Sequence, residues 1–550
     1  MYSIIPSTLR WAPLRLTTTF VLLLLGIFSN FSLYAASDAA TPAPQWAAAM
    51  SFGGSGLEQP YAVKADREGN RYVTGAFSST ALFPSKFQTV AAPQATQAGT
   101  RLTSAGGTDF FLAKYDPDGT LLWVVQGGGT GDDTGYGVDF DANGNIYVAG
   151  SFIDSATLRG VNSKNVTVSG LSRTTFFAKY SATGALQWVQ TGSAADGVPG
   201  ENNGLGVAVE PVSGSVFVTG MGQFDLAFSS ADGSSNVVQG AGSWHLVLVK
   251  YNTDGKFMWG ETNSATANSI SYRVAVDTNA NAYVIGWMEG NTSFSSSDSN
   301  SVMVPGFSFP IQSAPDYPND AFIAKYDTNG VLKWVNHLGG YKATATDVAV
   351  SPYGEISVTG FIGNINSPGQ NSTNVTSQPG GSTINLGGGQ FTTPFNNDIF
   401  VATYSTAGVL LDARRWGGSG DDEGGAIAYD RDGNLILAGV YEKQFHIEGA
   451  FLNGAQNVLD PFILKFTRPV TYAQSNLVLN NLEWLKSASG PIVGSENQRL
   501  DIGLTPNGNV LVTGAFQPSA QFGTLKLVSS GGQDGLVVCL NVNGQNSECN

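Results

Sequence analysis

The sequence predicts an all-β protein, a seven-bladed β-propeller of four-stranded blades whose ring is closed by an N-terminal strand completing the last blade. Three observations predict it. One hairpin phrase recurs seven times, a second hairpin phrase follows it, and the two ends of the chain hold complementary parts of one repeat. Self-similarity at this period is the signature of repeat architectures.

The first phrase is an apolar run, a polar turn and a second apolar run ending near a glycine. The clearest copies are residues 61–77 (YAVKADREGNRYVTGAF), 136–152 (YGVDFDANGNIYVAGSF) and 425–441 (GAIAYDRDGNLILAGVY). Weaker copies occupy 205–221, 272–288, 346–361 and 500–516. The arms are rich in Val, Ile, Tyr and Phe, which suit strands. The connections DREGN, DANGN and DRDGN carry tight-turn chemistry. A glycine recurs in every copy: Gly75, Gly150, Gly220, Gly286, Gly360, Gly439 and Gly514.

The second phrase reads DFFLAKYDPDGTLLW at 109–123, with copies at 176–188, 246–259 and 321–334. A fifth copy at 399–412 has Asp412 where the others have Trp, and a sixth starts at Pro461 and reaches Trp484 irregularly. This is again two strands about a Gly turn, so each repeat holds the four strands of one blade. The seventh copy has its third strand at 534–541 but no Trp strand after it. The segment around Trp46 (PQWAAAMSFGGSG) matches the region after Trp123 (LWVVQGGGTGDD) and supplies the missing strand. That offset closes a ring and hides sheet edges that an open array would expose.

The 69 glycines, 13% charged residues and 11% aromatics suit short strands and tight turns better than disorder or helices. Residues 1–35 read as a signal peptide: Arg10 and Arg15 precede the apolar run FVLLLLGIF, which is too short to span a bilayer, and Ala35 and Ala36 offer a cleavage site. The propeller then occupies 36–550 of a secreted or cell-surface protein. Loss of Arg10 and Arg15 takes the formal charge from −15 to −17. An acidic surface disfavours nucleic acid and anionic membranes as partners, and no membrane insertion is expected.

The phrases GGSGDDE (417–423), YVTG (72–75), FLAKYDPDG (111–119) and LLW (121–123) resemble the SBBP-type bacterial β-propeller repeat. The resemblance covers the whole predicted mature region. It implies the fold and an extracellular setting. It implies no reaction, because that family is known mostly from proteins without an assigned one.

Candidate site residues are few. The connections between second and third strands, 78–108, 289–319 and 362–397, are long, polar and unlike one another, and variable loops on a rigid scaffold commonly bind. Asp132, Asp133, Asp421, Asp422 and Glu423 precede first strands, and Glu58, Asn202 and Asn497 match the place of Asp133. Such oxygens could ligate Ca²⁺, the one cofactor suggested, although no calcium-loop spacing is present; alternatively they cap turn N–H groups. Cys539 and Cys549 are disulfide candidates. The recurring Lys114, Lys179, Lys250, Lys325 and Lys465, and the tryptophans Trp46, Trp123, Trp188, Trp259, Trp334 and Trp484, read as structural repeat residues. Trp287 and Trp416 stand outside that set, as irregular core or as sugar-stacking rings. His245, His337 and His446 share no ligand spacing, and no catalytic motif is evident. The reading is a monomeric, non-enzymatic binding or scaffold module for an extracellular polysaccharide or protein. Its rivals are a polysaccharide hydrolase or lyase acting at the loop face, and a passive structural protein of the cell surface.

Overall fold

The computed structural model describes residues 43–89, 98–195, 197–240, 244–265, 267–305, 319–338, 342–363, 383–385, 390–392, 396–468, 481–493, 500–542 and 549. The chain divides into two compact units, residues 1–42 and 43–550. The predicted signal peptide lies outside the described residues, as does Asn497. The second unit is all-β and antiparallel, with no helix among the described residues.

Each repeat, named here by the residue near which it starts, folds as four strands paired in chain order. Repeat 61 is Glu58–Ala65, Arg71–Pro84, Gly99–Tyr115 and Leu121–Gly128. Repeat 136 is Thr134–Phe140, Ile146–Arg159, Asn165–Tyr180 and Leu186–Ala194. Repeat 205 is Asn203–Val209, Val216–Gly222, His245–Tyr251 and Phe257–Ala265. Repeat 272 is Ser269–Val276, Ala282–Met288, Asp320–Tyr326 and Leu332–Leu338. Repeat 346 is Lys342–Val350, Ile356–Gly363, Asp398–Tyr404 and Leu410–Gly418. Repeat 425 is Glu423–Tyr429, Leu435–Tyr441, Asp460–Thr467 and Asn481–Ser487. Repeat 500 has Leu500–Leu504, Val510–Phe516 and Asp534–Asn541, and its fourth strand is Gln45–Gly54 from the other end of the unit.

The repeat phrases have local physical causes. In the first turn, Asp66 accepts from the backbone N–H groups of Glu68 and Asn70, from the Asn70 amide and from the Tyr72 hydroxyl. Asp141 does the same for Asn143, Asn145 and Tyr147, and Asp277 for Asn279, Asn281 and Tyr283. One carboxylate thus satisfies a whole turn. The recurring glycine is explained one strand away. First strands bulge at one register, between Pro60 and Ala62, between Gly135 and Gly137, and likewise in repeats 205, 272, 346 and 425. The bulge drives a backbone carbonyl onto the second strand. A Cβ on Gly75, Gly150, Gly220, Gly286, Gly360 or Gly439 would overlap the carbonyl oxygen of Gln59, Thr134, Asn203, Ile270, Thr344 or Glu423.

Between sheets, the recurring lysine and tryptophan act together. Lys179 Nζ donates to the Thr253 carbonyl of the next repeat's turn at 2.9 Å, and Trp188 Nε1 reaches the same oxygen at 3.3 Å. Lys250 and Trp259 share the Thr328 carbonyl, and Lys325 and Trp334 share that of Thr406. Lys114 donates to Ala182 O. The ammonium groups of Lys114, Lys179, Lys250 and Lys325 also lie over the rings of Tyr72, Tyr147, Phe217 and Tyr283. The tryptophan face meets a turn glycine whose φ is positive: Gly184 against Trp123, Gly255 against Trp188, Gly330 against Trp259 and Gly408 against Trp334. Lys465 instead pairs with Asp430 and Glu483, and Trp484 and Trp46 pack on the core between repeats 425 and 500. Asp412, in the register place of those tryptophans, pairs with Arg414.

The connections between second and third strands differ from the expected loops. In the described residues they are hairpins, and most pair with the fourth strand of the preceding repeat. Leu226–Ser229 and Ser235–Val238 extend the sheet ending in Leu186–Ala194. Thr292–Phe294 and Val302–Val304 extend that ending in Phe257–Ala265. Gln444–Ile447 and Ala450–Asn453 extend that ending in Leu410–Gly418. In repeats 61 and 136 the second and third strands simply lengthen and reach the neighbour through Leu82 and Leu158. Polar composition marked these segments as exposed, and the unpaired edge of each fourth strand recruits them into the sheet.

Candidate functional site

The acidic residues singled out from sequence lie at junctions between repeats, in the GGxG phrase. The first glycine makes room for a carboxyl at the start of the preceding third strand. A Cβ on Gly53, Gly128 or Gly417 would overlap Asp534, Asp109 or Asp398. The second glycine donates its N–H to the acid that opens the next repeat: Gly54 to Glu58 Oε2 at 3.0 Å, Gly129 to Asp133 Oδ2 at 2.7 Å, and Gly418 to Asp422. That same glycine lies against the carbonyl of Thr80, Ser155 or Gln444 in the hairpin. Two consecutive glycines therefore bring two buried carboxyls together.

Burial shifts these acids upward. It raises Glu58 to about 8, opposed by the Gly54 N–H and reinforced by Asp534. It raises Asp133 to about 7 and Asp422 to about 9, with the nearby charges of Asp109 and Asp398 adding to it. Asp109 and Asp534 rise to about 6. Asp398 rises to about 7 although Arg415 Nε lies 2.6 Å from its Oδ2. Desolvation disfavours the charged form, and a second carboxylate adds to the effect.

Two other acids of the candidate metal set cap backbone. Asp132 accepts from Thr108 N at 2.9 Å, and Asp421 accepts from Asn397 N at 3.1 Å. Glu423 is buried at the start of its strand. No group of three or more His, Cys, Asp or Glu able to hold a metal occurs among the described residues. The structure gives Asp132, Asp133, Asp421, Asp422 and Glu423 backbone or strand-start places and does not gather them around one point. Asn202, at the matching place, accepts from Gln223 N.

The histidines do not converge among the described residues. His245 is buried, His337 Nε2 lies 3.0 Å from Asp320 Oδ2, and His446 packs edge-on against Phe451. Trp416 is buried and stacked on Phe466, and Trp287 donates to the Tyr272 hydroxyl. Cys539 and Cys549 are joined by a disulfide, and the fully buried Arg71 donates to the Cys549 carbonyl.

A second polar group, not anticipated from sequence, lies along the first strands. Asp139 accepts from Val209 N, Asp347 from Ile427 N and Asp501 from Val63 N, each at 2.8 Å. Each carboxylate thus caps an edge N–H of another repeat's first strand. Lys64 and Arg273 carry the balancing charge. Burial alone would lower the Lys64 ammonium, but Asp501, Asp139 and Asp347 hold it above its ordinary value. Arg273 donates to the carbonyls of Leu205 and Tyr61. Charged residues at strand positions that are apolar in sister repeats were the available sequence signal.

Residues 122–151 match the family model described as a β-propeller repeat, SBBP, and residues 98–121 match a β-propeller domain of unknown function. Residues 122–151 are thus an SBBP-type β-propeller repeat. The chain is 27% identical over 213 residues to an uncharacterized WD repeat-containing protein of Acanthamoeba polyphaga mimivirus, covering 37% of this chain and 14% of that protein. It is also similar to a solved structure of selenomethionine-substituted virginiamycin B lyase from Staphylococcus aureus, at 9% identity and a TM-score of 0.20, covering 61% of this chain and 94% of the lyase. At that score neither fold nor chemistry transfers.

Proposed function

We propose that the chain is a closed, seven-bladed propeller exported from the cell, serving as a non-enzymatic binding or scaffold module for an extracellular polysaccharide or surface protein. The pairing of Gln45–Gly54 with Asp534–Asn541 supports closure. The observation that carries the binding role is the rigid display of unlike hairpins. Docked on their neighbours' fourth strands, they hold exposed Val237, Met303 and Phe451 outward, and the Thr80–Thr103 and Thr157–Thr167 hydroxyl pairs lie on the lengthened hairpins of repeats 61 and 136. Preorganised surfaces lose less entropy on binding than free loops. The junction acids favour this reading over a hydrolase or lyase, because they accept backbone N–H groups within the fold.

The test is a pull-down of the purified protein with insoluble polysaccharides and cell-envelope material, with supernatants assayed for released sugar. Depletion without release is expected, and weakens when Met303 and Phe451 are replaced by Asp. Released sugar would overturn the non-enzymatic reading. No depletion by any material would favour a passive structural role.

A further inference from the structure

The three glycine-lined junctions have the same pair of carboxyls but different counter-charges. Arg415 pairs with Asp398, and Arg159 acts on Asp109. At the seam between repeats 500 and 61 the acids are Asp534 and Glu58, at most 1% exposed. Glu58 Oε2 takes the Gly54 N–H and Asp534 Oδ2 the Ser530 N–H, both at 3.0 Å. Glu58 Oε1 and Asp534 Oδ1 are buried with no hydrogen-bond partner.

Among the described residues, no cation acts on the pair. The neighbouring amides Gln59 and Gln533 contact each other beside it and are neutral. Asp109, the next carboxyl, lies two strands away through the shared register partner Phe77, about 10 Å at the usual strand spacing. Arg71, on the adjacent strand, is engaged with the carbonyls of Pro117 and Cys549. Glu58 N donates to the Gln533 carbonyl at 2.8 Å, which sets the two acids on adjoining backbones, and two carboxylates buried there without a cation are strongly unfavourable. One proton removes one charge and supplies the donor that the two orphaned oxygens lack. Two carboxyls alone are too few ligands for a hard divalent cation, which takes six or more oxygens.

We propose that the buried Glu58 and Asp534 hold one proton between them, making the seam between the first and last repeats sensitive to pH. The folded seam keeps its proton where a free glutamate has lost it. Its stabilisation is therefore complete below the ordinary glutamate range and declines as pH rises toward about 8, where burial places Glu58.

The experiment is denaturant unfolding of the purified protein with EDTA, from about pH 5 to pH 9, for wild type, Glu58→Gln and Asp534→Asn. A neutral amide keeps a donor at every pH. Relative to Glu58→Gln, the wild-type folding constant should fall by up to ~10³-fold across that range. Difference infrared spectroscopy on the folded protein at pH 7 supplies a second readout: protonated-carboxyl absorbance, to which Asp422 also contributes, should be lower in Glu58→Gln than in wild type. Parallel pH profiles for wild type and both variants would overturn the proposal. So would Ca²⁺-dependent stabilisation of wild type at pH 8 that both variants lack, which would identify a cation in place of the proton.

Discussion

The two sides of each inter-repeat junction solve opposite electrostatic problems. On the turn side a lysine such as Lys250 brings a buried cation to one neutral carbonyl and an aromatic face. On the glycine side an acid such as Asp422 brings a buried carboxyl to backbone N–H groups and meets a second acid, Asp398. Burial disfavours the cation too and lowers Lys250, but the Asp327 and Glu210 charges oppose that shift. The paired acids are held in spite of each other, and their pKa values rise. The difference shows that the lysine side can tolerate exchange of its partner, whereas the glycine side depends on the absence of a side chain.

The comparison can be broken most severely at the glycines. Gly418→Ala would drive a methyl into the Gln444 carbonyl, a backbone atom that cannot rotate away. A loss of about 3 kcal/mol is expected in denaturant titration. Removing the Cys539–Cys549 disulfide, by Cys539→Ala with Cys549→Ser, should cost about 2–3 kcal/mol for a bridge of sequence separation 10. On the turn side, Lys250→Met keeps the stem over Phe217 and loses the bond to Thr328, with an expected loss of about 2 kcal/mol. Thermal melts of Lys250→Met and Lys250→Ala would separate charge from packing.

Acid pairs sharpen the contrast through pH. Asp422 rises in the fold to about 9, so its protonated state favours folding below the ordinary aspartate range and that advantage is lost as pH rises through about 9. The melting temperature should fall from mild acid to alkali, and Asp422→Asn should flatten the profile. A rise with pH would sink this account. The smallest effect is expected at Asp132, whose Thr108 contacts are exposed. Asp132→Asn should change stability by no more than about 1 kcal/mol in the same titration.

Much of the fold could be read from sequence because its causes are local and repeated. The turn aspartates Asp66 and Asp141, the recurring Gly75 and its equivalents, and the Trp–Lys pairs each occur at fixed spacing. The four-stranded grouping of each repeat followed from them. The junctions were only half legible. Asp133 and Asp422 stood out beside glycines, but their partners Asp109 and Asp398 lie in third strands about two dozen residues earlier, and only the pairing of strands brings them together. Hairpins on neighbouring sheets were not legible, since polar composition at residues 289–319 records exposure and not pairing. The Lys64, Asp139, Arg273, Asp347 and Asp501 group escaped because each residue comes from a different repeat and only assembly makes them neighbours.

The strand Gln45–Gly54 is the earliest of the described strands to be synthesised, yet its sheet partner Asp534–Asn541 is among the last. During synthesis only its pairing with residues 81–82 and 88–89 is available early, and the edge that meets Asp534–Asn541 must wait while every intervening repeat is made. A truncation that removes Asp534–Asn541 leaves an orphan β-edge at the opposite terminus.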